Sequence, residues 1–268
     1  MATPQKFLRK VVRAVGDQLD IHLVLQRSAV ITAAAYATGE LLDVGCGNKP
    51  WLDVFRPRVS KYTGIEHESV FSETTASTSG SGENAPDLYY RGDALPFADA
   101  SFDTVASFQV LEHTADPFVL VRDMARVLRP GGRLILSAPF SYRVHEAPHD
   151  FFRYTAHGLQ SLVEREHLRV ESVIPFGGLW SVLAHKVNSH LVLKVARLGS
   201  LGQSVGKLSQ EGPIRETPRW FTVPAVVPMV GALSAAGRIA DKLAPDPVEA
   251  LGYVIVARKD AATTSASR

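Results

Sequence analysis

The stretch Glu40-Leu-Leu-Asp-Val-Gly-Cys-Gly-Asn-Lys-Pro50 is a short apolar strand pattern that runs directly into a glycine-spaced turn. A backbone that bends sharply there, and lets a ligand lie against it, needs residues without Cβ. Gly45 and Gly47 meet that need just past a strand end, the edge at which open α/β sheets bind nucleotide-like ligands. Gly-x-Gly also occurs in ordinary tight turns, so the glycines alone do not separate a cofactor site from a bend. A dinucleotide fingerprint would continue to a third glycine, where this chain has Pro50, a residue suited to the first turn of a helix. Asp43, two residues before Gly45, suits a ligand carrying positive charge rather than phosphates.

Further along, Lys61-Tyr-Thr-Gly-Ile-Glu66 reads as a second strand ending in a carboxylate placed to accept from both hydroxyls of a ribose. Gly92-Asp-Ala-Leu-Pro-Phe97 puts Asp93 at the end of a third strand, where it can accept from an adenine amino group. Phe102 to Ser107 forms a fourth strand, and Leu128-Arg-Pro-Gly-Gly-Arg-Leu-Ile-Leu-Ser-Ala-Pro139 closes a helix with a Pro-Gly-Gly turn before a fifth. The order Asp43-Val-Gly-Cys-Gly47, Glu66, Gly92-Asp-Ala-Leu-Pro-Phe97, Phe102-Asp103, Val110-Leu-Glu-His113 and Arg126-Val-Leu-Arg-Pro-Gly-Gly132 resembles the class I S-adenosylmethionine-dependent methyltransferases, and most closely their small-molecule enzymes. The resemblance covers residues 38 to 175 and a last strand near 252 to 258. It implies an α/β, Rossmann-like fold: a seven-stranded, mostly parallel sheet with helices on both faces, N-terminal helices and a helical insertion before the last strand. It also implies S-adenosylmethionine as cofactor, with Asp43, Gly45 and Gly47 about the methionine part, Glu66 at the ribose, Asp93 with Ala94 at the adenine, and Cys46 and Gln109 also among the cofactor-binding residues.

Composition is that of an ordinary globular chain: 268 residues, 46% hydrophobic and 21% charged. A net charge of +2 without a long Lys/Arg block gives no footprint for nucleic acid. The fourth-strand exit, Ser107-Phe-Gln-Val110, also lacks the Asn/Asp-Pro-Pro-Tyr/Phe signature of amino-methylating nucleic-acid enzymes. Cys46 is the single cysteine, which excludes an intramolecular disulfide and fits a reducing, cytoplasmic setting. Lys6, Arg9, Lys10 and Arg13 are followed by Asp17 and Asp20 before any apolar stretch, a pattern unlike a secretory signal.

Residues 1–37 read as an N-terminal helical cap, its first helix carrying Phe7, Leu8, Val11, Val12 and Val15 at helical spacing. The methyltransferase core is expected over 38–176 and 251–260, with a polar surface loop about Ser72 to Pro86 and a disordered tail over 261–268. Methyl transfer is an in-line displacement that chiefly requires alignment, and a hydroxyl acceptor must also lose a proton. Titratable residues concentrate after the fourth and fifth strands, which makes His145, His149, Glu146 and His113 the candidate catalytic residues. His113, beside Glu112, either moves a proton or orients a loop over the cofactor. His145-Glu-Ala-Pro-His149 formally matches His-Glu-x-x-His, but that motif needs a helix, which Pro148 prevents. No metal site is therefore assigned, and a divalent ion that aids deprotonation is allowed but not expected. Arg153 either clamps an anionic group of the acceptor or holds its own loop; Thr155 reads as the N-cap of a helix burying Leu159, Leu162 and Val163.

Residues 177–250 form the helical insertion. Trp180, Leu183, Val187, Leu191, Val195 and Leu198, with Lys186, Lys194 and Arg197 between them, make an amphipathic helix whose default is to pack as a lid or on the core. Pairing in a homodimer and lying on a membrane surface are the alternatives. From Trp220 to Gly237 no residue is charged; Pro224 and Pro228 weigh against a spanning helix and leave a buried or interfacial one. Peripheral contact with the inner face of the membrane would suit a lipid-linked acceptor, beside the small-molecule and glycan acceptors the resemblance also allows. Nucleic-acid methylation and non-catalytic cofactor binding are the competing functions.

Overall fold

β1 (Glu40–Val44) is paired on both sides, to β2 (Lys61–His67) and to β4 (Phe102–Phe108), in the computed structural model. The structure describes residues 20–68, 82–91, 94–197, 219–246 and 248–261. The other strands are β3 (Leu88–Tyr90), β5 (Leu128–Pro139), β6 (Leu168–Phe176) and β7 (Gly252–Lys259). Together they form one seven-stranded sheet of order β3-β2-β1-β4-β5-β7-β6. The β1–β2, β1–β4, β2–β3 and β4–β5 pairings are parallel. Strand order reverses between β1 and β4, which makes the carboxyl ends of those two strands the place where such sheets bind ligands.

The central strands are near-continuous apolar runs because helices cover both faces of a parallel sheet. Leu41, Leu42, Val105, Ala106, Leu134, Ile135, Leu136, Val254, Ile255 and Val256 are all fully buried. The helices are α1 (Ile21–Ala33), α2 (Leu52–Phe55), α3 (Pro117–Val127), α4 (Ala156–Glu164), α5 (Leu179–His190) and α6 (Val223–Leu243). α3 starts where Asp116 accepts from the N–H groups of Phe118 and Val119, with Pro117 in the first turn. α4 starts where Thr155 accepts from Gly158, and it buries Leu159, Leu162 and Val163 as its periodicity predicts.

Three local expectations are corrected. β3 ends at Tyr90, before the segment expected to close it, and Asp93 lies outside the described residues, as do Phe7 to Val15 and the tail beyond Ala261. α2 begins at Leu52 rather than at Pro50, since Lys49 adopts positive φ and the chain turns once more before the helix. Arg129 to Gly132 is not a turn ahead of β5: Phe102 pairs with Leu128 and Thr104 with Arg133, so the Pro-Gly-Gly segment is looped out as a bulge inside the strand.

The chain divides into two compact units. The sheet unit comprises Ala29–Ala138, Tyr154–Ile174 and residues from Tyr253. The helical unit comprises residues up to Ser28, Pro139–Arg153 and Pro175–Gly252, so the loop after β5 groups with the insertion rather than with the sheet.

Within the helical unit, α5 and α6 form an antiparallel hairpin. Asp241, near the end of α6, accepts from the N–H groups of Gly178, Trp180 and Ser181 at the start of α5, at 2.9, 2.9 and 3.2 Å. Asn188 donates to Ser234 Oγ at 2.9 Å, and Arg219 N–H donates to the Ala196 carbonyl. Val226, Val230, Ser234 and Gly237 are the buried stripe of α6. This pairing overturns the default orientation of α5. Ser181, Val182, Ala184, His185 and Asn188 are buried, whereas Trp180, Leu183 and Val187 are exposed.

Candidate functional site

In the sheet unit, the turn after β1 is shaped by what lies behind it. Gly45 and Gly47 both have positive φ, at 74° and 50°. A Cβ on Gly45 would overlap the Val110 side chain, while one on Gly47 would meet nothing within 4 Å. Gly45 therefore makes room for the β4 exit, and Gly47 leaves the outer side of the turn open. The N–H groups of Gly45 and Cys46 both donate to the Ile65 carbonyl at 3.0 Å, fastening the turn to the end of β2. Cys46 is buried, and burial pushes its thiol up, which makes it a packing residue under the turn rather than a nucleophile.

Two carboxylates reach this turn. Glu66 Oε2 accepts from Gly47 N–H at 2.8 Å and its Oε1 from His67 N–H at 3.0 Å. Asp43 is only 1% exposed and accepts a hydrogen bond from the Tyr62 hydroxyl, yet its Oδ1 is buried with no partner. Burial is the main reason the Asp43 carboxyl is pushed up to about 7; Glu66 adds to the rise, while Tyr62 and Lys49 oppose it. A buried carboxylate oxygen without a partner is costly until a cation or donor arrives. That oxygen, the open side of Gly47 and the acid at the β2 tip are the features an adenosyl sulfonium cofactor requires, so the residues fit it. Asp43, Gly45 and Gly47 would hold its amino-acid part and Glu66 its ribose.

Gln109 leaves β4 with φ 56°, donating its N–H to the Ser137 carbonyl and its side-chain amide to Ser137 Oγ, both at 2.9 Å. Ala94 is exposed at the start of the segment that follows β3. That segment is held from behind by Arg126, which donates to the carbonyls of Phe97 and Leu95 at 2.7 and 3.0 Å and pairs with Asp99 and Asp123.

Lys49 is a residue the sequence reading missed. It is buried, its ammonium 2.7 Å from Asp87, which in turn accepts from Gly64 N–H. Its signal was its place in the turn, two residues after Gly47. Glu112 is fully buried in the turn Leu111–His113, and His113 is half-buried, its Nε2 3.9 Å from the Glu112 carboxylate. Tyr154 donates to the Leu111 carbonyl and holds the same turn.

In the helical unit, the loop after β5 is non-helical through Tyr154, so the His-Glu-x-x-His spacing does not form a zinc helix. His145 is buried and His149 exposed, while Glu146 adopts positive φ and accepts from His149 N–H. His145 Nδ1 lies 3.4 Å from Asp150 Oδ2, and its N–H donates to the same oxygen at 2.7 Å. Burial works to raise the Asp150 carboxyl, but Arg153, bidentate at 2.5 and 2.7 Å, and the His145 N–H outweigh it and hold it below its usual range. Arg153 also donates to the carbonyls of Tyr142, Arg143 and Phe152. It holds the loop.

Sequence reading also missed His22 and His185. Tyr142 stacks on His185 with centroids 4.9 Å apart, His22 lies 4.6 Å from Tyr142, and His145 lies 5.0 Å from it. Burial, then neighbouring cationic groups, lowers both His22 and His185, the latter to about 4, so both rings are neutral near pH 7. Nε2 of each is buried without a hydrogen-bond partner. The signal was the face Ser181, His185, Asn188, polar residues at helical spacing in an apolar stretch.

Comparison with known proteins agrees with this geometry. Residues 42–136 match a family model described as "Methyltransferase domain". The chain is 37% identical over 114 residues to 27-O-demethylrifamycin SV methyltransferase of Amycolatopsis mediterranei, covering 37% of this chain and 38% of that protein. It is 36% identical over 101 residues to O-methyltransferase resE of Aspergillus sclerotiorum, covering 36% and 38%. A 37.1 kDa protein in a Streptomyces fradiae transposon is 27% identical over 217 residues, covering 78% of this chain and 51% of its own. These matches span between 38% and 51% of the three relatives' lengths. The crystal structure of the cyclase SpnF superposes with a TM-score of 0.51 at 19% identity, covering 90% of this chain and 82% of that one, a likeness of fold. Motif order, strand order and the matched segment lead to one assignment: residues 42–136 are similar to the methyltransferase domain and lie in a seven-stranded, Rossmann-like sheet.

Proposed function

We propose that this protein transfers the methyl group of S-adenosylmethionine to a hydroxyl of a small-molecule, glycan or lipid-linked acceptor. The observation that carries the hydroxyl assignment is the buried pair His145–Asp150. A general base needs an imidazole whose other nitrogen is fixed by an orienting carboxylate. Asp150 Oδ2 and Arg153 Nη2 each stand 3.4 Å from His145 Nδ1: the carboxylate favours the tautomer in which Nε2 accepts a proton, and the guanidinium favours the other. The looser-than-ideal spacing is of the kind that tightens when a substrate is bound. Two relatives whose names specify oxygen methylation support the same choice.

When bound, the cofactor supplies an electrophilic methyl group on a sulfonium. Asp43, Gly45, Gly47 and Glu66 hold and orient it, with Cys46 packed beneath the turn and Gln109 closing the β4 side. Asp93 and Ala94 are proposed for the adenine end. His145 takes the acceptor's proton. Glu146 and His149 shape the loop that carries His145, and His113 with Glu112 shapes the loop after β4. A cytoplasmic setting fits the lone, buried cysteine.

Labelled-methyl transfer into a cell extract, followed by mass analysis of the product, tests the proposal. Label on oxygen is expected, with His145→Gln lowering turnover by about 10²- to 10⁴-fold while cofactor affinity is kept. Glu66→Ala should instead lose cofactor affinity. Label on nitrogen, carbon or nucleic acid, or cofactor binding without any transfer, would overturn the assignment.

A further inference from the structure

The α5–α6 hairpin buries the wrong side for a helix pair that is finished. Exposed positions on a soluble helix are ordinarily polar or charged. From Phe221 through Ala236, in α6 and the turn that leads into it, the exposed residues are Phe221, Pro224, Ala225, Pro228, Met229, Ala232, Ala235 and Ala236, and none is charged or polar. Only 22% of the most apolar 18-residue stretch of Trp220–Leu243 is buried, and Phe221 is 83% exposed. On α5, Trp180, Leu183 and Val187 form a second exposed apolar row. Burying these rows inside the unit is blocked by the hairpin's own contacts. Asn188–Ser234 and the Asp241 cap fix the opposite faces inward.

The charges around this surface name its occupant. Residues 179–197 and 219–243 carry Lys186, Lys194, Arg197, Arg219, Arg238 and Lys242, against the single acid Asp241, whose carboxylate is committed to the start of α5. The antiparallel pairing gathers aromatic and cationic residues at each end of the hairpin. Trp180 lies with Arg238 and Lys242 at one end, and Trp220, Phe221 and Arg219 lie near Ala196 at the other, by the Arg219–Ala196 hydrogen bond. An apolar middle between tryptophan and basic ends suits the boundary between lipid headgroups and acyl chains. A second copy of the same surface would bring six cations against six, whereas an anionic bilayer complements them.

We infer that the exposed face of the α5–α6 hairpin lies on the surface of a bilayer containing anionic phospholipid, immersing Phe221, Met229, Leu183 and Val187 in the headgroup boundary without crossing it. α6 alone is long enough to cross, at about 32 Å for its helical rise. α5, fastened along it, reaches only about 18 Å, short of the roughly 30 Å hydrocarbon core, and carries Lys186 on its outer side. This inference does not depend on the methyl-transfer proposal.

Co-sedimentation of the full chain with vesicles tests it. The protein should pellet with phosphatidylcholine vesicles containing phosphatidylglycerol at least about tenfold more strongly than with phosphatidylcholine alone, and high salt or alkaline carbonate should release it. Phe221→Glu combined with Met229→Glu changes exposed positions only. It should keep the circular dichroism and melting of the parent and reduce binding about tenfold or more. Arg219→Glu with Arg238→Glu should abolish the lipid-charge preference. Failure to bind either vesicle, binding unchanged in the Phe221/Met229 variant, or self-association lost in that variant in place of vesicle binding would each overturn the inference. Retention through alkaline extraction would do so as well, by showing a spanning helix.

Discussion

Asp43 shows what one buried carboxylate contributes to a binding turn. With one oxygen satisfied by Tyr62 and the other lacking a partner, it titrates near 7 and is largely protonated in mild acid. A cationic ligand favours the ionised form, so binding below about pH 7 must expel a proton. Cofactor affinity should therefore climb as pH rises from about 5.5 to 7 and level off above that. Calorimetry in buffers of different ionisation enthalpy should show the released proton, and Asp43→Asn should bind more weakly with a flat profile. A pH-sloped profile in Asp43→Asn would place the proton elsewhere. Asp43, Gly45, Gly47 and Glu66 could be read from the chain because a strand's apolar run and the glycines after it are local signals. Lys49 could not, because its partner Asp87 is 38 residues away and only the fold brings them together.

At the scale of elements, the strands were legible and the helix faces were not. β4 and β7 lie within a residue or so of the positions their apolar runs indicate, since a central strand buried on both faces leaves few alternatives. α5 is the instructive failure. Its strongest apolar row is outward and its polar row Ser181, His185, Asn188 inward, because the Asp241 and Ser234 contacts that decide the matter come from a helix more than 40 residues on. The start of α5 has no side-chain cap of its own, Gly178 occupying that position. Asp241→Ala should therefore cost about 1–2 kcal/mol, the range for losing an N-cap, read as a lower urea midpoint. Asp241→Asn should recover much of it. Equal stability of the alanine variant and the parent would show that α5 is held by packing alone.

For the whole molecule, the two units should answer pH in opposite directions. Asp43 in the sheet unit has a raised pKa: its contribution is fully present below about pH 4 and lost as pH rises through about 7. His22 and His185 in the helical unit have lowered pKa values: their contribution is present above about 6.5 and lost in acid, that of His185 as pH falls toward about 4. Amide exchange followed at about pH 5 and about pH 7.5, corrected for intrinsic rates, should show the helical unit loosening in acid while β1 and β2 tighten. His185→Gln should blunt the first effect and Asp43→Asn the second. A uniform response of both units would sink this reading.

Arg126 carries one more consequence. Its guanidinium grips the carbonyls of Leu95 and Phe97 from the helix side, so the edge that follows β3 is a template cast in advance rather than a flap drawn shut by its guest. A ligand meeting such an edge is sorted by shape. Evolution of a different preference there would have to recast residues 94–99 themselves, since loosening the grip would forfeit the mould before it offered a new one.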